Sequence, residues 1–108
     1  MKLILAIVNS DDSYEVQTNL SKNGYYLTKL ATTGGFLKKG NTTFLIGTED
    51  ELVDKALEII NDNSKRRVVK EPITSFNDFG SFSAVQMVDV PVGGATVFIL
   101  EVDKFEKF

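Results

Sequence analysis

The chain has 108 residues, 43% of them hydrophobic and 25% charged, and its fifteen acidic and twelve basic residues leave a net charge of −3. That length and apolar content suit one domain, 1–108, with a single core, and the scattered basic residues remove the electrostatic case for nucleic acid. Cysteine and histidine are both absent, which excludes disulfides, thiolate chemistry, imidazole bases and histidine-based metal sites.

Residues 3–8 form a continuous apolar run, β-branched at Ile4, Ile7 and Val8. The run is too short to cross a bilayer, and Asn9-Ser10-Asp11-Asp12 follows without a small-residue cleavage pattern. We read it as a buried strand of a cytoplasmic protein with no membrane insertion. Asp11-Asp12-Ser13 stops it. Asp12 with Glu15 fits a capping box for a helix over residues 13 to about 22, whose thin apolar face is Tyr14, Val16 and Leu20. Asn23-Gly24 closes that helix with a residue that tolerates left-handed geometry.

Residues 25–33, rich in Tyr, Leu and Thr, predict a second strand, and residues 41–46 a third, ended by Gly47. Between them lies a connector over residues 34–40 that sets Phe36 and Leu37 beside Gly34-Gly35, a combination suited to touching something. Thr48 with Glu51 suggests a second capping box, and Leu52, Val53, Ala56, Leu57 and Ile60 fall on one helical stripe. Asn61-Asp62-Asn63-Ser64 ends this helix. A final strand, residues 95–102, follows Gly93-Gly94.

The order βαββαβ predicts an α+β, ferredoxin-like fold: a four-stranded antiparallel sheet with both helices on one face. Its other face would carry apolar side chains that subunit packing covers, so the pattern predicts a homo-oligomer. Residues 61–94 exceed what the simple fold needs. They hold two β-like pieces around a polar tip, which suggests a long hairpin insertion. Phe76, Phe79 and Phe82 recur there at a spacing of three, suited either to folding back on the core or to contacting a partner. Lys65-Arg66-Arg67 reads as solvated charge after a helix C-terminus. No pair of acids sits at a spacing that places both in a cleft, so nothing points to an enzyme.

The runs Thr28-Lys29-Leu30-Ala31-Thr32-Thr33-Gly34-Gly35-Phe36-Leu37 and Gly40-Asn41-Thr42-Thr43-Phe44-Leu45 resemble the signature of the PII-like cyclic-di-AMP receptors, the DarA/PstA group. So do Val92-Gly93-Gly94-Ala95-Thr96-Val97-Phe98, the closing Phe105 and Phe108, and the first strand. The resemblance implies a bacterial, cytoplasmic, homotrimeric signalling protein without catalytic activity or cofactor. It implies a short T-loop between strands two and three and an enlarged B-loop after helix two. One cyclic-di-AMP would bind in each cleft between subunits, with occupancy relayed through the loops to a downstream protein.

Carried over position by position, Thr28, Gly35, Phe36, Leu37, Asn41 and Gly47 match ligand-contacting positions, and Phe98 matches a pocket residue of the last strand. Phe36 and Leu37 would cover an adenine face and Thr28 and Asn41 bond its edge, while glycine lets backbone N–H groups approach phosphate. Three more positions belong to this set but differ in kind. Gly24 and Tyr26 stand where the family usually has Asn and Arg, and Lys107 stands for its Gln. Tyr26 stacks but carries no charge. The alternative readings are a PII-like oligomer for another nucleotide and a ligand-free ferredoxin-like interaction module.

Overall fold

The computed structural model describes residues 1–30, 40–76 and 82–108, with backbone alone considered at 71, 73–76 and 82–86. Its main body contains strand β1 (Lys2–Asn9), helix α1 (Ser13–Lys22), strands β2 (Tyr26–Leu30) and β3 (Asn41–Thr48), and helix α2 (Val53–Asp62). Strands β4 (Arg67–Phe76) and β5 (Phe82–Val92) then precede β6 (Ala95–Glu101), which returns to the body. The main sheet has the order β2-β3-β1-β6, and every neighbouring pair is antiparallel. This is the mixed α+β, ferredoxin-like arrangement that the element order predicts, and it agrees with the PII-like fold that the resemblance implies.

Strand alternation decides which side is covered. In β1 the side chains of Ile4, Ala6 and Val8 are buried. They lie opposite Ile46, Phe44 and Thr42 of β3, all buried too. Val16 and Leu20 of α1 and Val53, Ala56 and Ile60 of α2 complete this core. The odd-numbered set faces the other way. Leu3, Leu5 and Ile7 oppose Gly47, Leu45 and Thr43 on one side and Leu100, Phe98 and Thr96 on the other. Among the described residues no helix covers that face, and Phe98 and Leu100 remain 54% and 47% exposed.

Both helix starts depart from the expected capping boxes. A 3-10 turn, Ser10–Asp12, precedes α1, and the Asn9 side chain caps it by accepting from the Asp11 N–H. Asp12 makes no side-chain cap bond to α1; its carboxylate pairs with Arg67 instead. A second 3-10 turn, Asp50–Leu52, precedes α2. Thr48 is the buried last residue of β3 and Gly47 lies inside that strand rather than ending it. Tyr14, expected on the apolar face of α1, is 74% exposed. Leu52, expected on the α2 stripe, sits in the 3-10 turn, where its carbonyl accepts from the Tyr25 hydroxyl at 2.7 Å.

The end of α1 follows the sequence closely. Gly24 has φ +86°, the Tyr25 N–H donates to Leu20 O and the Gly24 N–H to Ser21 O, both at 3.1 Å. This is a Schellman motif, and it drops Tyr25 into the core beside Leu20. Tyr25 is therefore a core residue at the turn, and β2 starts one residue later than its pattern suggested.

Among the described residues strands β4 and β5 pair only with each other, from Arg67 opposite Val92 to Phe76 opposite Phe82. The hairpin projects from the body. The radius of gyration is 18.3 Å and the extents are 62 × 28 × 20 Å, against about 13 Å for a compact chain of this length. At its base Gly93 and Gly94 take φ +83° and +79°. A Cβ on Gly93 would lie 2.5 Å from the Lys65 carbonyl oxygen, so only glycine lets β5 leave the hairpin here.

A candidate ligand cleft on the bare sheet face

The bare face ends in a cleft of about 700 Å³ among the described residues. Register creates it: Leu3, Gly47 and Tyr26 stand side by side across β1, β3 and β2, with Leu45 and Thr28 in the next row. These residues form its floor and one side. The chain after β6 supplies the other side. The Val102 N–H bonds the Met1 carbonyl at 3.2 Å, and the tail then sets Phe105, Glu106 and Lys107 along the opening.

The chemistry of this lining is specific. Tyr26 is 88% exposed and Phe105 64% exposed, so two aromatic rings are available at the opening. Gly47 presents bare backbone, and a Cβ added there would meet nothing within 4 Å. Because Gly47 is paired to Leu3 on one side and Tyr26 on the other, it contributes room rather than a free N–H. Two of the charges nearby are neutralised internally. Glu106 pairs with Lys104 at 3.0 Å, and the Met1 ammonium pairs with Asp50 at 3.0 Å. The hydrogen bond from that ammonium holds the Asp50 carboxyl below its ordinary value. Lys107 makes no ion pair among the described residues. An apolar floor, two aromatic rings, the hydroxyls of Thr28 and Tyr26 and the Lys107 ammonium, unpaired among the described residues, suit a flat heterocycle carrying negative charge.

Of the residues expected from sequence, Tyr26, Thr28, Gly47 and Lys107 come together here. Asn41 is on the same face but at the far end of β3, opposite Asn9. Six residues of strand separate it from Gly47, about 20 Å. Phe98 shares the row of Thr28, Leu45 and Leu5 but lies three strands across, about 14 Å away. Gly24 is exposed in the turn before β2 and does not line the cleft. Gly35, Phe36 and Leu37 lie outside the described residues, as does most of the connector. Sequence reasoning missed Met1, Leu3, Leu27, Leu45, Val102, Phe105 and Glu106 as lining residues. The alternation of β1 carried a signal for Leu3, whereas the tail residues have no periodicity to read.

A ferredoxin-like sheet with a heterocycle-sized cleft on its uncovered face defines a small ligand-binding protein of the PII-like kind. The family model for cyclic-di-AMP receptors matches residues 1–108, the whole length, and the chain belongs to the cyclic-di-AMP receptor family. It is also similar to a solved structure, a functionally unknown protein from Pediococcus pentosaceus ATCC 25745, at 42% identity and a TM-score of 0.71. That match covers 99% of this chain and 96% of the other.

Proposed function

We propose that the protein is a cytoplasmic, bacterial cyclic-di-AMP receptor that works as a homotrimer. It binds one ligand in each cleft between neighbouring subunits and relays occupancy through its loops to a downstream protein, without catalysis. The observation that carries this reading is the spread of the expected ligand positions. Tyr26, Thr28, Gly47 and Lys107 share one cleft, while Asn41 and Phe98 lie about 20 and 14 Å away on the same bare face. One chain cannot fold all of these around one ligand. A neighbouring copy seated on the apolar face would cover Leu5, Ile7, Phe98 and Leu100 and could bring its own Asn41 or Phe98 to the first chain's cleft.

In this reading Tyr26 stacks on an adenine, Thr28 and Asn41 bond its edge, and Lys107 meets a phosphate. Phe36 and Leu37 of the connector cover the base, beside Gly35, and Gly24 permits the turn that delivers Tyr26. Native mass spectrometry with calorimetry tests it: a trimer taking up three cyclic-di-AMP molecules is expected. A monomer that binds with full affinity would refute the shared cleft. A second reading, a trimer for another nucleotide, draws on Tyr26 and Lys107 standing where the family has Arg and Gln. A competition panel of nucleotides in which cyclic-di-AMP is displaced by a weaker-charged ligand would favour it.

A further inference from the structure

We infer that the Ser10–Asp12 turn is a mechanical link between the Asn41 end of β3 and the base of the β4–β5 hairpin, with Asp12 and Arg67 as its positioning residues. The inference rests on the proposed site only in taking Asn41 as ligand-facing. On one side the turn is tied to β3. The Ser10 N–H donates to the Gly40 carbonyl at 2.8 Å, and the Ser10 and Thr42 hydroxyls share a hydrogen bond of 3.0 Å. Thr42 is itself buried.

On the other side the turn is tied to the hairpin. Arg67 Nη2 donates to Asp12 Oδ1 at 2.9 Å and Nη1 to Oδ2 at 3.3 Å. Nη1 also donates to the Lys65 carbonyl at 3.2 Å. Among the described residues, Arg67 makes the only side-chain hydrogen bonds between the hairpin and the rest of the chain. Asp12 is only 7% exposed and Arg67 is its one cationic partner among the described residues, so separating the largely buried carboxylate from that cation carries a desolvation penalty. The pair therefore couples the hairpin base to the turn.

The turn also has little slack of its own. The Asn9 side chain accepts from the Asp11 N–H at 2.9 Å, and the Ser13 hydroxyl donates to the Ser10 carbonyl at 2.7 Å. A displacement at Gly40 or Asn41 is passed to Asp12 as a rigid shift, and from there to Arg67. Coupling of this sort is reciprocal, so it is measurable from either end and without ligand.

Amide hydrogen exchange on the full-length protein tests the link. In the ligand-free protein Arg67→Met is expected to speed exchange of the Ser10 amide about tenfold, the size of losing one charge-assisted hydrogen bond. The Ile46 amide in the sheet centre should not change, and Arg67→Lys should restore most of the Ser10 protection. Unchanged Ser10 exchange overturns the link. Thr42→Val loosens the turn from its other end and should speed exchange at residues 67–69; no change there also overturns it. With cyclic-di-AMP added, the wild type should slow at the hairpin base. Arg67→Met should bind within about threefold of wild type and lose that slowing; a retained response refutes the link. If cyclic-di-AMP fails to bind the wild type, the receptor reading fails, while the ligand-free arms still decide the link.

Discussion

Gly47→Val separates fold from function at a single position. Gly47 lies inside β3 between Leu3 and Tyr26, and a Cβ there meets nothing within 4 Å. The Cβ of the new side chain therefore meets no obstacle among the described residues. Glycine in a strand interior is worse than alanine by about 0.5–1 kcal/mol, and valine suits a strand better still. Stability should rise by that order, raising the melting temperature by roughly 2–8 °C for a domain of this size. The new methyl groups nevertheless stand in the cleft. Forcing a ligand past them resembles overpacking a filled site, at about 1–3 kcal/mol, so affinity should fall about 5- to 150-fold. Differential scanning calorimetry, native mass spectrometry and titration with cyclic-di-AMP read the three quantities. A stable variant of unchanged assembly that binds as tightly as wild type would place the ligand elsewhere. A variant that loses stability would show that the position is not open.

Tyr26→Arg adds a charge-assisted contact at the opening, so affinity for cyclic-di-AMP should rise by about tenfold or more and become more salt-sensitive; calorimetry at two ionic strengths checks both. Phe44→Ala empties the centre of the core, where Phe44 is fully buried, and should cost about 3–5 kcal/mol in urea unfolding, a large share of a domain's total. Tyr25→Phe removes the hydrogen bond to the Leu52 carbonyl, at about 1 kcal/mol. Burial also raises the Tyr25 phenol above its ordinary value. The neutral form is thus the one the fold favours: its contribution is complete below about pH 10 and is lost as pH climbs through the raised value. Alkaline unfolding curves should show the wild type losing stability above that pH more steeply than Tyr25→Phe.

The sheet was legible because its signal is local and periodic. Ile4, Ala6 and Val8 alternate with Leu3, Leu5 and Ile7, and one set had to face helices while no described helix covers the other. The helix ends were read correctly where a backbone rule governs them, as at Gly24. They were misread where a side chain had a better partner far away. Asp12 looks like a cap from its neighbours, yet it bonds Arg67, 55 residues on, and no local window contains both. Thr48 looks like a cap because Glu51 stands three residues on, but the ladder with β1 carries β3 on through Gly47 to Thr48, which lies opposite Lys2. The cleft was half legible. Family resemblance picks out Tyr26, Thr28, Gly47 and Lys107, but only the register places Leu3 and Leu45 beneath them. Only the path of the tail brings Phe105 and Glu106 alongside.

The charges around the cleft indicate how such a site can hold an anion in a chain of net charge −3. Asp50 and Glu106 would both repel phosphate, but each is tied to a cation of this same chain, the Met1 ammonium and Lys104. What the opening presents is then Lys107 against an apolar floor. Charges farther than about a Debye length, roughly 8–10 Å, contribute little at physiological salt, so the acidic remainder of the surface matters less than this local balance. If the cleft holds the ligand as proposed, tyrosine at position 26 leaves the larger share of the binding free energy to ring stacking and to burial against Leu3 and Leu45, which line it. These interactions recognise a flat base without regard to its charge. On the proposed reading, a charged side chain in place of Tyr26 would add discrimination by charge, whereas a side chain in place of Gly47 would narrow the cleft for any base.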